Sequence, residues 1–254
     1  MFRKVLRNIA GFAYGGYLEM NSIPSTQRRN LETFSNEGSL REWQQLNMYM
    51  RVMEETADIP GDIAEFGVAS GTSLRAFARI NGVLNVQRPH EYAKKTVYGF
   101  DSFEGLPELD QDIDLASAEA RITPDMKKGG FDSRGTLADL EAFAAKQGDA
   151  KLVKGFFSDT LPVFIKENPH VSFSLIHIDC DIYSSSKEVM DVVFPRLNIG
   201  GIVLFDEIFH PVFPGETAAF WEVYNSIGAR VPNFKLQFFR STSMPWKWYA
   251  RRES

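Results

Sequence analysis

Four acidic residues follow two apolar segments of the sequence and could together hold a metal ion. Asp179 and Asp181 come directly after one apolar run, and Asp206 and Glu207 end the next one. If the two runs are neighbouring parallel strands, about 4.8 Å apart, all four carboxylates meet at one edge of a sheet. Like charges that close raise one another's pKa, and a hard divalent cation with oxygen ligands relieves the conflict. The alternative interpretation is a set of separate, solvated loop acids.

A glycine-containing segment, EFGVASGTS (65–73), links an earlier apolar run to a helix-like stretch. Gly67 and Gly71 permit tight turns and close approach of the backbone to a ligand, and a helix N-terminus offers free N–H groups. The segment is not GxGxxG and lacks the Lys-Ser/Thr ending of a P-loop, so it matches neither nucleotide fingerprint. On its own it is typical of many strand-to-helix turns.

Asp101 ends the following apolar run, VYGFD (97–101). A carboxylate at the end of a second strand can accept hydrogen bonds from both hydroxyls of a ribose. Together with the glycine segment it favours an adenosine-containing ligand. The 36 residues that separate Glu65 from Asp101 exceed the roughly 20 that are usual in nicotinamide-binding proteins. The alternative is that Asp101 only caps a helix or turn.

Five other residues attract attention but allow structural explanations. His177 lies inside an apolar run and is expected to be a hydrogen-bonded core histidine rather than a ligand. Phe156 and Phe157 could stack on an adenine ring or belong to the core. Cys180 lacks the partners of a catalytic thiol, and the basic residues near the C-terminus, Lys247 among them, are interpreted as solvated surface.

These residues are placed by apolar runs that alternate with helix-like stretches, a pattern that predicts a parallel sheet covered by helices. A helix is predicted over 39–58, with Ser39 as its N-cap. Segment 108–135 breaks the alternation and is either a lid or a disordered loop. The predicted strands are 63–68, 97–101, 151–156, 173–179 and 200–207, with a closing hairpin of 233–240 and 245–252.

Composition limits the function classes. The chain has 254 residues, of which 44% are hydrophobic and 24% charged, so a disordered, collagen-like or coiled-coil protein is excluded. The net charge of −5 argues against a nucleic-acid partner. The single cysteine excludes an intrachain disulfide and a cysteine-rich zinc site, and it favours the reducing cytoplasm.

No stretch approaches the roughly 20 apolar residues of a membrane span, so no membrane partner is expected. Phe2, Leu6, Ile9 and Phe12 recur at helical spacing, which favours an amphipathic arm over a cleaved signal peptide. Because a short isolated helix is marginal in water, we expect this arm to support a homo-oligomer, a dimer or higher. The expected division is an N-terminal helical arm and cap over 1–58 and a catalytic domain over 59–254.

Five blocks of the sequence, in order from about residue 40 to 225, resemble the macrocin/mycinamicin O-methyltransferase family. They are DIAEFGVASGTSL, YGFDSFEGLPE, VKGFFSDTLP, SLIHIDCDIYSSSKEV and GGIVLFDE with a later FPGETAAFWE. The resemblance implies a Rossmann-like class I methyltransferase fold, with a mostly parallel seven-stranded sheet whose last strand is antiparallel. It also implies methylation of a sugar hydroxyl with S-adenosylmethionine and Mg²⁺.

The resemblance further implies roles for individual residues. The metal would be bound by Asp179, Asp206 and Glu207, and Asp181 would be the general base. Glu207 is a departure, since the family usually has a second Asp there. The segment from SFEGLPE onward would open a mobile lid. The implied cofactor contacts are Glu65, Gly67, Ser70, Gly71, Ser73, Asp101, Ser102, Phe156, Ser158 and Asp179.

The acceptor is a glycosyl or polyol small molecule if the resemblance holds. Two alternatives stay open at this point: a metal-dependent methyltransferase of a catechol or another vicinal diol, and a non-catalytic protein that binds an adenosine ligand, because a fold does not fix a function.

Overall fold

The computed structural model describes residues 40–88, 93–244 and 246–254, which form a seven-stranded sheet with helices on both faces. The strands are β1 (Asp62–Phe66), β2 (Val97–Asp101), β3 (Ala150–Lys154), β4 (Phe173–Ile178), β5 (Leu197–Phe205), β6 (Leu236–Arg240) and β7 (Trp248–Arg252). The helices are α1 (Leu40–Glu55), α2 (Thr72–Gln87), α3 (Ala118–Ile122), α4 (Leu137–Gln147), α5 (Phe157–Glu167), α6 (Tyr183–Val193) and α7 (Gly215–Ile227). The N-terminal arm and the expected cap Ser39 lie outside the described residues.

The strand order is β3-β2-β1-β4-β5-β7-β6, and β7 is antiparallel to both of its neighbours. All other neighbouring pairs are parallel. The predicted mostly parallel seven-stranded sheet with an antiparallel last strand is therefore confirmed, and so is the closing hairpin.

The sheet separates two apolar cores because successive side chains of a strand point to opposite faces. Ile176 and Ile178 of β4 belong to the core under α5, α6 and α7, whereas Leu175 belongs to the core under α1 and α2. All six residues of β4 are buried. This burial explains why the strand sequences read as continuous apolar runs rather than as alternating ones.

The strands and four helices (α1, α2, α6 and α7) lie where the sequence predicts them, but α3, α4 and α5 are additional. Helix α5 begins at Phe157, within the aromatic pair considered for adenine stacking, and contains Pro162. Helix α4 is short and alanine-rich, with only Leu140 and Ala144 buried. Helix α5 does bury an apolar stripe that includes Leu161 and Phe164, so its pattern was present in the sequence, whereas α4 offers little apolar signal.

Segment 108–135 packs onto the domain through buried polar contacts. The side chain of Asp114, 1% exposed, accepts hydrogen bonds from Tyr183 N at 2.7 Å and Asp110 N at 2.8 Å. Ser117 Oγ donates to Val212 O at 2.9 Å. The segment is thereby joined to the N-terminus of α6 and to the loop after β5. Its opening and closing as a lid stay a prediction.

Helices long and apolar enough to cross a bilayer do not occur in the part of the chain that the structure describes.

Candidate active site

The strand register brings the predicted acids together. Phe66, Ile178 and Phe205 lie side by side on β1, β4 and β5. Beyond them, Asp179 N donates to Phe66 O at 2.9 Å, and Asp206 N donates to Ile178 O at 3.0 Å. The two aspartates therefore follow adjacent strand ends, as the sequence predicts.

These strand ends form the floor of a cavity of about 940 Å³, within the size range of small-molecule sites. Helix α1 contributes Glu42 and Gln45 to its wall, and segment 108–135 contributes Met126 and Phe131. Most predicted site residues line the cavity: Gly67, Ser70, Ser73, Asp101, Ser102, Phe156, Ser158, Asp179, Asp181, Asp206 and Glu207. Glu65 and Gly71 do not.

Asp101 organises the glycine segment. Its Oδ2 accepts hydrogen bonds from the N–H groups of Val68 and Ala69, each at 2.7 Å, and its Oδ1 accepts one from Phe103 N at 2.6 Å. A carboxylate has about four acceptor positions, so these contacts leave one for a ligand hydroxyl. Asp101 thus shapes the loop as well as facing the cavity.

The two glycines of the segment are required by close packing. Gly67 has a φ of 92°, and an added Cβ would overlap the carbonyl oxygen of Asp179. Gly71 has a φ of 80°, and an added Cβ would overlap the side chain of Leu140. Gly67 therefore lets the loop approach the strand end that carries Asp179, while Gly71 seats α2 against α4.

Glu65 and His177 form a buried pair below the cavity floor. They are neighbours in the sheet, 0% and 1% exposed, and Glu65 Oε1 lies 2.9 Å from His177 Nδ1. His177 is therefore a hydrogen-bonded core histidine, as predicted. The predicted contact of Glu65 with the cofactor stays a prediction: Oε1 pairs with His177, while Oε2 is buried without a hydrogen-bond partner.

The acids at the floor perturb one another's ionisation. Burial, and then the charge of Asp206, raise the pKa of Asp181 to about 7 and that of Glu207 to about 8. Burial followed by the charges of Asp206 and Asp181 also raises the pKa of Asp179 well above its usual value. Burial and the neighbouring charge of Asp206 thus favour the protonated form of Glu207.

A strained turn presents Asp181 to the cavity. Asp181 has a φ of 60°, and Ile182 N donates to Cys180 O across it at 2.6 Å. Such left-handed conformations are uncommon outside glycine and cluster at functional sites. Asp181 therefore lies in the turn that follows β4, two residues after Asp179. Cys180 is buried, 4% exposed, and its Sγ lies 3.5 Å from Phe66 O, consistent with a structural thiol.

Lys247 lies in this cluster and not on the surface, so its interpretation as a solvated residue is wrong. It is 6% exposed, and its Nζ donates to Asp206 Oδ1 and to Asp206 O, the latter at 2.9 Å. Burial acts to raise the pKa of Asp206, but the charge and hydrogen bond of Lys247 hold that pKa below its usual value.

A second missed residue is Glu216, in the first turn of α7. It is fully buried, and its Oε1 accepts a hydrogen bond from Glu207 N at 3.3 Å. Burial, and then the charges of Asp206 and Glu207, raise its pKa well above the usual value. The block FPGETAAFWE contains it, but an acid in a first helical turn is also typical of ordinary helices.

The donor set fits a hard divalent cation. One ligand atom each from His177, Asp179 and Asp206 lies within 4.8 Å of the others. Glu207 Oε2 is buried without a hydrogen-bond partner, and a bound cation would satisfy it. Oxygen donors without a cysteine suit Mg²⁺. The structure thus clusters Asp179 and Asp206 with His177, while Glu207 stands beside them as a further donor.

Comparisons with known proteins agree with this geometry. A tetracenomycin rhamnosyl 4'-O-methyltransferase of Streptomyces olivaceus is 30% identical over 59% of this chain and 53% of its own length. Mycinamicin III 3''-O-methyltransferase of Micromonospora griseorubida is 27% identical over 60% of this chain and 57% of its own length. The matched region is thus just over half the length of these curated relatives.

A solved structure matches a larger share of this chain than the curated relatives do. The calicheamicin methyltransferase CalS11 is 27% identical, covers 96% of this chain and 91% of its own, and superposes with a TM-score of 0.71. The fold is accordingly that of Rossmann-like class I methyltransferases. The macrocin-O-methyltransferase (TylF) pattern matches residues 34–226, a range that contains every predicted site residue, and the chain therefore belongs to the macrocin-O-methyltransferase family.

Proposed function

We propose that the protein is an S-adenosylmethionine-dependent, Mg²⁺-dependent O-methyltransferase that acts on a sugar hydroxyl of a glycosylated natural product. One observation carries the proposal. The cavity that reaches the glycine segment and Asp101 at one side has Asp179, Asp181, Asp206 and Glu207 at its floor. A methyl donor and a metal-bound acceptor would meet there.

The cofactor would lie along the side of the cavity that is formed by the glycine segment and Asp101. Gly67 and Ser70 would face its methionine end, Asp101 would accept a hydrogen bond from the ribose, and Phe156 would border the adenine. Free N–H groups at the start of α2 favour the negative charge of the cofactor carboxylate. The sulfonium, when bound, supplies the electrophilic methyl group.

Asp181 is proposed as the base. A sugar hydroxyl is weakly acidic, so its proton must leave as the new O–C bond forms. Asp181 stands on a left-handed turn and is not part of the group formed by His177, Asp179 and Asp206. Mg²⁺, when held by Asp179, Asp206 and Glu207, would stabilise the developing alkoxide. Asp181 takes the proton, and the acceptor oxygen takes the methyl group.

The acceptor class follows from the relatives and not from this cavity alone. The named relatives are a 4'-O-methyltransferase of a rhamnosyl-tetracenomycin and a 3''-O-methyltransferase of mycinamicin III. Met126, Phe131 and Phe213 also line the cavity, and they offer apolar surface for the non-sugar part of such an acceptor.

Three further expectations belong to this proposal. Residues 1–58 would form an arm and cap over the catalytic domain of 59–254, which is supported by Glu42 and Gln45 of α1 lining the cavity. The arm would support a homo-oligomer, so light scattering at micromolar concentration should give at least a dimeric mass. A cytoplasmic location is supported by the single, buried, free cysteine and can be checked by cell fractionation.

Methyl transfer assays test the proposal. Incubation with S-adenosylmethionine and a panel of glycosylated acceptors should give product that increases with Mg²⁺ and disappears in excess chelator. Asp179→Ala and Asp206→Ala should abolish the metal-stimulated activity, while calorimetry shows cofactor affinity nearly unchanged. Glu167→Gln is a control, because Glu167 is exposed at the end of α5 and does not line the cavity.

Two outcomes would point elsewhere. Faster turnover of a catechol than of any sugar acceptor would replace the acceptor class, and cofactor binding without any metal-stimulated turnover would indicate a non-catalytic adenosine-binding protein. Full activity in excess chelator would show that methyl transfer does not depend on a divalent metal.

A further inference from the structure

The floor of the cavity concentrates carboxyl groups, and one buried lysine lies among them. Asp179, Asp181, Asp206, Glu207 and Glu216 lie together there, and Glu216 is fully buried. Among the described residues, Lys247 is the lysine or arginine with a nitrogen within ion-pair distance of any of these five carboxyl groups. Its ammonium bonds both the carboxylate and the carbonyl oxygen of Asp206.

The backbone fixes Lys247 in this position. It directly precedes β7, which pairs with β5 so that Trp248 lies opposite Phe205, and Lys247 therefore falls opposite Asp206. Lys247 N donates to Met244 O at 2.9 Å, and Lys247 O accepts from Ser241 N at 3.0 Å. The side chain is 8% exposed, so it cannot turn out to solvent without opening the hairpin loop.

Lys247 also lies outside the range of family similarity, which ends at residue 226. One oxygen of the Asp206 carboxylate, which the proposed function assigns to the metal, is thus already bonded to a cation from the C-terminal hairpin. Two cations cannot both be close to Asp206 at no cost, because like charges at short range in a buried site repel strongly.

We propose that Lys247 is a built-in counter-ion that replaces the divalent metal in the metal-free protein and competes with it for Asp206. This inference rests on the metal part of the proposed function. It makes Lys247 a positioning residue that sets metal affinity: its charge stabilises the metal-free site, and binding of the divalent ion displaces the ammonium from Asp206 Oδ1.

The inference predicts opposite effects on stability and on metal affinity. Removal of the ammonium leaves the five carboxyl groups without this opposing charge, so the metal-free protein should lose stability. The same removal takes away the competitor and one positive charge, so Mg²⁺ should bind more tightly. If Lys247 were purely structural, its removal would lower stability without any change in Mg²⁺ affinity. If it merely oriented Asp206, its removal would weaken Mg²⁺ binding.

Lys247→Met and Lys247→Gln test the inference, the latter keeping a hydrogen-bond donor without the charge. Calorimetric titration of the purified full chain with MgCl₂ alone should show at least tenfold tighter binding in both variants, equivalent to about 1.4 kcal/mol. Their melting temperatures should fall in chelator, and saturating Mg²⁺ should restore most of the difference from wild type.

Lys95→Met is the matched control. Lys95 is equally buried, 5% exposed, but it lies at the opposite ends of the strands and donates to Thr56 O and Ser174 Oγ. This variant should lose stability without a change in Mg²⁺ affinity. If it does not fold, Lys187→Met, in an exposed pair with Glu222, provides the unchanged reference affinity.

The outcomes separate the inference from the proposed function. Unchanged or weaker Mg²⁺ binding in both Lys247 variants overturns the inference and leaves the metal site standing. Failure of both variants to fold even in saturating Mg²⁺ also overturns it, because the metal should replace the ammonium. Absence of Mg²⁺ binding to wild type and variants alike overturns both the inference and the metal part of the proposed function.

Discussion

Asp181→Asn should stabilise the metal-free protein while it removes activity. The pKa of Asp181 is raised from 3.8 to about 7 by burial and by Asp206, and one pKa unit corresponds to 1.36 kcal/mol. The ionised side chain therefore costs the folded state up to about 4 kcal/mol. Asparagine keeps the size of the side chain and tolerates the left-handed backbone, so we expect a gain of about 2–4 kcal/mol at pH 8.

The sign of the pH dependence follows from the direction of the shift. Because the folded-state pKa lies above the unfolded value, the unfolded chain loses its proton first as the pH rises. The cost of Asp181 is absent below about pH 4, grows up to about pH 7, and is constant above it. The stability difference between Asp181→Asn and wild type should therefore fall to less than half when the pH is lowered from 8 to 5.

Urea denaturation in chelator, at both pH values, measures this difference. Asp112→Asn, at an exposed position of segment 108–135, is the control and should match wild type at each pH. An Asp181→Asn variant no more stable than wild type at pH 8 would refute the reasoning that Asp181 is held in an unfavourable charged environment. Its methyl transfer rate should fall by about 10²–10⁴-fold, the usual span for a lost general base.

Two other variants test a proposed cofactor contact and the anchor of segment 108–135. Asp101→Ala should weaken S-adenosylmethionine binding by about 1.5–3 kcal/mol, the scale of hydrogen bonds to a charged group, and unchanged affinity by calorimetry would remove Asp101 from the cofactor site. Gly215→Ala would place a Cβ against Asp114 Oδ1 and 2.7 Å from Tyr183 N. It should release segment 108–135 and speed its cleavage in limited proteolysis, whereas cleavage at the wild-type rate would show that this anchor does not hold the segment.

The sequence predicted those parts of the site that depend on strand ends. Asp179 and Asp206 follow adjacent apolar runs, and parallel pairing of those runs suffices to bring them together. The glycine segment and Asp101 were found for the same reason. In each case a local sequence pattern placed the residue at a strand end, and the register of the sheet brought these ends together.

The parts that were missed depend on contacts between distant segments. Lys247 reaches Asp206 because β7 inserts between β5 and β6, and no local pattern in a basic tail reveals such an insertion. The pairing of Glu65 with His177 likewise requires the register of β1 on β4. Asp101 was predicted to serve a ligand, but its contacts with Val68 and Ala69 could not be known before the loop conformation was.

The contact between Gly67 and the Asp179 carbonyl also matters for engineering. A side chain at position 67 would push the glycine segment away from the strand end that carries Asp179. One substitution would therefore disturb both the proposed cofactor site and the proposed metal site. Libraries intended to change acceptor choice should leave this junction intact. Met126 and Phe131 line the cavity from segment 108–135, and Phe213 lines it from the loop after β5, so variation at these positions leaves the Gly67 junction itself unchanged.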